Sequence, residues 1–319
     1  MKRLLMKYAL HGFLLSGLLL CFACEETVDL GIEEEESRLV VISNFHPDSL
    51  FKVVVSKSRS ALSIDEIVYL DNAAVGIFEG DEILENLRAG RDPLTNYPVY
   101  RSAFLKPEIG RQYRIEVKAL GLNDASATNE IPEPVALNNF KIEDITWRFN
   151  NQSRNQIQFF FDLTVEFEDE PMVENYYHLN FFYERIEYEV LRPGDTLFNQ
   201  TGIPVPVILT ETENDFPFLL HYSKGALIDD VNQDGARLRY TFRAQTFPIS
   251  ILNQQFDRIY AELRSTSLDY YNYHTSLTRQ SQQTDPVFSE PVILYNNIEN
   301  GYGIFAGYSV ALDSFFVTR

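Results

Sequence analysis

Ile157-Gln158-Phe159-Phe160-Phe161-Asp162-Leu163-Thr164-Val165-Glu166-Phe167 is the stretch that decides the fold class. Ile157, Phe159, Phe161, Leu163, Val165 and Phe167 occupy every second position, so a pleated strand puts all six on one face. A helix would scatter them around its circumference. Tyr177, Leu179, Phe181 and Tyr183 repeat the pattern in the next segment. Asp169-Glu170-Pro171 between the two reads as a hairpin connection. Further strands are expected at 205–211, 237–244, 258–265, 292–295, 303–312 and 314–318.

Upstream the strands are shorter. Seven candidates, at 39–45, 51–56, 74–79, 82–88, 97–104, 112–120 and 126–131, are rich in β-branched and aromatic residues and mostly separated by turn residues. That number over so short a span is expected of an immunoglobulin-like sandwich. Leu105, Pro107, Gly110, Tyr113, Ile115 and Val117 resemble the fibronectin-type run that enters a late strand. Tyr113 is the candidate tyrosine corner, a structural role in which the hydroxyl bonds nearby backbone. Ile131-Pro132-Glu133-Pro134 carries two prolines that a central strand does not accommodate. The boundary is placed there, with a mainly β chain divided into an immunoglobulin-like sandwich at 38–133 and a larger antiparallel β domain at 134–319. One helix is expected at 268–282, covering the sheet. Ser267 is its N-cap, Asp269 favours its positive end, and Tyr270, Tyr273, His274 and Leu277 share a face.

The N-terminus reads as a targeting segment. Lys2, Arg3 and Lys7 precede an apolar run at 9–23, shorter than the roughly 20 residues of a spanning helix. Ala23 directly before Cys24 matches the requirement of lipoprotein signal peptidase. Residues 1–23 are thus a signal peptide, and Cys24 is the lipidated residue that fixes the chain to a membrane surface. Leu20 stands four rather than three positions before Cys24, and a plain signal peptide cut nearby is the alternative. Residues 24–37, with Glu33–Glu36 in a row, form an acidic tether. Processing would remove Cys21 and acylate Cys24, leaving neither thiol nor disulfide. It would also take the net charge from −19 to −22 by removing three cations and no acid. Such a surface repels nucleic acid, which is excluded as a partner.

Catalytic motifs are missing from the sequence. There is no HExxH, paired cysteine, GxSxG elbow, Walker loop or Rossmann fingerprint. No enzyme, catalytic residue or cofactor is expected, although a glycosidase-type carboxylate pair from separate strands stays open. A lone histidine on a patterned strand, such as His178, reads as structural. Asp230-Val231-Asn232-Gln233-Asp234-Gly235 begins like a calcium loop. Its closing position holds Thr241, with Arg237 and Arg239 beside it, so a turn is expected there and no metal.

The densest string is Pro286-Val287-Phe288-Ser289-Glu290-Pro291, then Tyr295-Asn296-Asn297-Ile298-Glu299-Asn300-Gly301-Tyr302-Gly303-Ile304-Phe305-Ala306-Gly307-Tyr308. Gly301 and Gly303 allow a tight loop or close backbone approach. Tyr295, Tyr302 and Tyr308 are the candidate partner contacts, on a loop and strand at one end of the C-terminal domain. The competing reading is a glycine-kinked hairpin that completes the core.

This string, with Cys24-x-x-x-Val28-Asp29-Leu30, Arg38-Leu39-Val40-Val41 and Leu70-Asp71-Asn72-Ala73-Ala74-Val75, resembles the Bacteroidota lipoprotein family known as domain of unknown function 4249. The resemblance runs over essentially the whole mature chain. It implies a lipid anchor, an immunoglobulin-like N-terminal part, a β-rich remainder and a place beside TonB-dependent outer-membrane receptors; the acidic stretch after Cys24 resembles the signal for the outer face of the outer membrane. It carries over no catalytic residues. The expected function is that of a non-enzymatic surface lipoprotein, accessory or ligand-capture subunit of such a receptor, its ligand unknown. A self-standing adhesion or matrix-binding module and a carbohydrate- or peptide-active hydrolase are the alternatives.

Overall fold

Strict alternation in the sequence becomes strand pairing in the computed structural model, which describes residues 36–317 apart from 61–65, 94, 151–152, 193–194, 199–201, 211–213, 215–216, 257 and 284–291. Residues 1–23, expected as a signal peptide, Cys24 and most of the expected tether 24–37 lie outside the described residues, as does the string 286–291. Ser37–Arg319 holds together as one compact unit, and the fold is mainly β.

In the N-terminal part, a four-stranded sheet runs in the order Glu82–Asn86, Ala74–Glu79, Gln112–Lys118, Ala125–Glu130. The facing layer holds Leu39–Phe45, Lys52–Lys57, Pro98–Arg101 and Arg88–Arg91 in that order. Val41, Phe45, Phe51, Val53, Ile77, Tyr113 and Ile115 fill the space between them. Each such side chain contributes about 1.5–3 kcal/mol by leaving water. Tyr113 is fully buried, and its hydroxyl accepts from the Glu108 amide at 2.9 Å. Tyr100 makes a second bond of this kind, accepting from the Ala73 amide at 2.7 Å and donating to the Leu70 carbonyl.

The C-terminal part has its own core between two layers. One is a five-stranded sheet built on Leu137–Asn150, Ser153–Glu168 and Arg237–Gln245. The other contains Gly225–Asp229, Tyr176–Arg192 and Arg258–Thr266. The expected hairpin through Asp169-Glu170-Pro171 does not form. Ser153–Glu168 pairs with Leu137–Asn150 and Arg237–Gln245, while Tyr176–Arg192 pairs in the opposite layer. The two apolar faces meet across the sandwich instead of lying side by side, with Phe167 edge-on to Tyr177 at 4.9 Å.

The last strand departs from expectation in another way. The sequence pattern predicts 303–312 and 314–318 as separate strands, and 292–295 as a third. One long strand, Gly301–Phe316, replaces the first two, and 292–295 carries no strand. Its first half pairs in parallel with Leu39–Phe45, from Leu39↔Gly301 to Phe45↔Gly307. Its second half pairs antiparallel with Arg258–Thr266, from Tyr308↔Thr266 onward. It therefore sits inside a continuous sheet that runs through both parts, not at one end of the C-terminal domain. Phe305 and Ile298 join the core of the N-terminal sandwich.

The helix Leu268–Gln282 forms where expected, and Ser267 accepts from the Tyr270 amide as its N-cap. Its buried positions are Tyr270, Thr275 and Thr278, and Leu277 is only half-buried. The face it turns inward is therefore largely polar.

Candidate functional site

The C-terminal string proves to be a clamp. Along the half of Gly301–Phe316 that pairs with Leu39–Phe45, backbone groups are met by asparagine side chains. Asn297 donates to the Phe305 carbonyl at 2.8 Å and accepts from the Phe305 amide at 3.0 Å. Asn296 donates to the Gly301 carbonyl, and Asn129 accepts from the Gly307 amide. These amides substitute for a neighbouring strand, meeting backbone groups that burial would otherwise leave unpaired. Asp269, in the first turn of the helix, gathers the same elements: it accepts from Asn129, Asn297 and Tyr295.

The three candidate tyrosines do not form one surface. Tyr308 is buried, stacked on His46 at 5.0 Å with the Arg264 guanidinium 4.6 Å from its ring, so it is no partner contact. Burial pushes its hydroxyl up to about 12. Tyr295 is half-buried and gives its proton to Asp269. Tyr302 is half-buried on the strand, with the Arg38 guanidinium 5.4 Å from its ring. Gly301 and Gly303 serve close approach: an added Cβ would stand 2.7 Å from the Leu39 carbonyl oxygen and 2.0 Å from that of Val41.

The loop 230–235 gains a partner that sequence spacing did not reveal. Asp169 lies with Asp230 and Asp234, their carboxylate oxygens all within 4.8 Å of one another. Each of the three carboxylates already has a donor. Asp169 accepts from the Tyr177 hydroxyl and the Gly235 amide, Asp230 from the Asn175 amide, and Asp234 from the Met172 amide. Burial raises the Asp230 carboxyl. Thr241 lies on the strand Arg237–Gln245 with its hydroxyl 3.1 Å from that of Thr164, as a cross-strand pair.

Sequence reading missed two assemblies. In the first, His274 of the helix meets the other three histidines beyond Cys24 in one layer between helix and sheet. The rings of His178, His221 and His274 lie 4.8–6.0 Å apart between centroids. Tyr270 links them, 4.1 Å from His274 and 5.5 Å from Tyr308, on which His46 stacks. Their nitrogens do not converge as metal ligands, since among the described residues only the aspartate trio brings ligand atoms within 4.8 Å. Space at His178 is also tight: an added Cβ on Gly225 would stand 3.1 Å from its Nε2. Four single histidines far apart in sequence carry no local signal.

In the second, the inner face of the C-terminal sandwich runs on past its cover. Phe140 and Ile142 are buried, but Ile145, Trp147 and Phe149 emerge on the same strand, with Trp147 57% and Phe149 53% exposed. Asp144, at φ 52°, sits in a register shift that moves the apolar parity from even to odd positions. Trp147 then stands opposite Phe159, and Phe149 opposite Ile157. With Tyr188, Ile251 and Phe256 they wall an open cleft of about 610 Å³, a size suited to a small molecule or a partner's side chains. The odd-position alternation of Ile145, Trp147 and Phe149, with the chain's one tryptophan, was the signal available in the sequence.

No curated protein matches the chain. The model of the family described as Domain of unknown function (DUF4249) matches residues 25–313, nearly the whole chain, and the protein belongs to that family.

Proposed function

We propose that the mature chain is a non-enzymatic lipoprotein, anchored through Cys24 in the outer membrane facing the exterior, that serves a TonB-dependent receptor as accessory or ligand-capture subunit. The observation that carries the binding part of this reading is the aromatic cleft around Trp147. Large exposed aromatics rimming a concave apolar face are uncommon on a surface with nothing to bind. Trp, Tyr and Phe are the side chains that anchor interfaces. The side chains of Asn296 and Asn297 support a structural role for the described part of the C-terminal string, because they are engaged in holding a strand.

The test is detergent pull-down from outer membranes with tagged wild type and with the double variant Trp147→Ala, Phe149→Ala. A β-barrel receptor should accompany the wild type and be lost from the variant, with the melting temperature little changed because both side chains are exposed. A receptor retained by the variant, or none with the wild type, overturns the reading. Matrix material recovered in place of a barrel would favour the adhesion module.

A further inference from the structure

The histidine layer holds the helix by bonds whose donors and acceptors can be assigned. Arg264 Nη1 donates to the Tyr270 hydroxyl at 2.9 Å, and His178 Nδ1 lies 2.9 Å from the same oxygen. A guanidinium accepts nothing, and among the described residues His178 Nδ1 is the acceptor within reach of the hydroxyl, so the hydroxyl proton is assigned to His178 Nδ1. His178 then carries its own proton on Nε2, an atom buried without a protein partner. The Thr278 hydroxyl donates to the His274 carbonyl and so accepts from His221 Nδ1 at 2.6 Å. Asn44 Nδ2 donates to His274 Nε2 at 3.3 Å, which places the His274 proton on the unpartnered Nδ1. Two of these bonds, His178–Tyr270 and His274–Asn44, fasten the helix to the strands Tyr176–Arg192 and Leu39–Phe45. With the protons so assigned, both use an imidazole nitrogen as acceptor.

We propose that this layer is an acid-sensitive latch: neutral imidazoles dock the helix Leu268–Gln282 on the sheet, and their protonation beside Arg264 releases it. Protonation at His274 Nε2 sets a donor against the Asn44 Nδ2 donor, and protonation at His178 Nδ1 forces the Tyr270 hydroxyl proton to turn away, so each protonation costs its own fastening bond. It also concentrates charge. The sheet contributes Arg264, paired at 2.5 Å with Glu262, and the turn after His221 contributes Lys224. Asp48 follows His46 in the N-terminal part, and among the described residues the helix sets Tyr270 and Tyr273 beside His274. Glu262 and Asp48 thus already balance Arg264 and Lys224, and up to four further positive charges meet no counter-charge.

Burial, aided by Arg264 and neighbouring imidazoles, holds His178 well below its ordinary value and His274 at about 3. Burial and Arg264 hold His221 at about 4. An imidazole freed from the layer takes up its proton below about pH 6.5. The released state therefore binds more protons in the window between that value and the docked values, and docking is lost as pH falls through it.

The experiment is amide hydrogen exchange of the full chain at about pH 7 and about pH 4.5, expressed as protection factors, with each proton taken up on release lowering protection roughly tenfold per pH unit. Amides of residues 268–282 should lose protection first, while those of Gln112–Lys118 and Ser153–Glu168 keep theirs. His274→Gln keeps an acceptor for Asn44 and removes one titrating group, so the loss should become shallower by about one proton. Imidazole resonances of the wild type, followed by NMR, supply a readout independent of any variant: at least two should remain neutral well below pH 6.5 while the helix is docked. A helix equally protected at both pH values, loss of all elements together, or four imidazoles titrating at their ordinary value would each overturn the latch.

Discussion

Asn297→Ala should destabilise the protein more than any exposed substitution in the same loop. The side chain makes both bonds to the backbone of Phe305, a residue with no solvent exposure, and a third to Asp269. Truncation leaves a buried amide and a buried carbonyl short of a partner, at about 1–3 kcal/mol each. Asp269 keeps Asn129 and Tyr295, so the third loss is smaller. Asn297 itself is half-buried, and water can reach part of the gap. The sum is about 2–4 kcal/mol. At roughly 2–4 °C per kcal/mol, the melting temperature should fall by about 4–16 °C.

Calorimetry on wild type and variant measures this directly. Asn297→Asp sharpens the test: it preserves the acceptor for the Phe305 amide, loses the donor to the Phe305 carbonyl and sets a second carboxylate against Asp269. It should therefore be no better than alanine at neutral pH. A loss below about 1 kcal/mol for Asn297→Ala would mean that the Phe305 backbone does not depend on the side chain. The clamp account of the string would then be wrong, and a partner-contact role would regain its place.

Tyr113→Phe should cost about 1 kcal/mol in a denaturant melt, the loss of one bond to the Glu108 amide; an unchanged midpoint would contradict the corner role. Gly303→Ala should cost about 3 kcal/mol or more, since φ is +115° and the new Cβ would meet the Val41 carbonyl; a variant with wild-type melting would disprove the close approach. Cys24→Ser should release the protein from membranes into the soluble fraction, and unchanged retention would sink the lipid anchor.

The fold class was legible because period-two alternation over Ile157–Phe167 admits one geometry. What alternation does not encode is the partner. A strand's apolar face says that something covers it, and the same pattern serves a hairpin neighbour or an opposing sheet. That is why the segments around Phe161 and Phe181 were read as adjacent when they face each other. Leu137–Asn150 escaped notice for a different reason, since the shift at Asp144 breaks its alternation into two short runs of opposite parity. The same shift is what aims Trp147 into the cleft. The histidine layer was illegible on still other grounds, because its members come from four separate segments and only the pairing of those segments brings them together. The glycines in turn were recognisable as sites of close approach, but the backbone that approaches comes from Leu39 and Val41, at the far end of the chain.

The approach of Leu39 and Val41 to Gly301 and Gly303 changes how the two cores relate. Proline pairs such as Pro132 and Pro134 end a strand, and here they do separate one set of strands from the next. A domain, however, needs its own completed core. The sandwich at 38–133 takes Ile298 and Phe305 from the chain's end, and Leu39–Phe45 pairs with the strand that carries Phe305. The second half of that same strand supplies Ala311 and Phe315 against the other core. One continuous backbone thus spans both, with Gly301, Gly303 and Gly307 removing the side chains that would hold it away from Leu39, Val41 and Glu130. Shared elements couple stability, because an opening in one core strips a strand from the other. The helix lies over this junction, with Ile304, Ala306 and Tyr308 packed against Tyr270. Its histidine layer therefore sits where both halves meet, the place from which a change in docking reaches both.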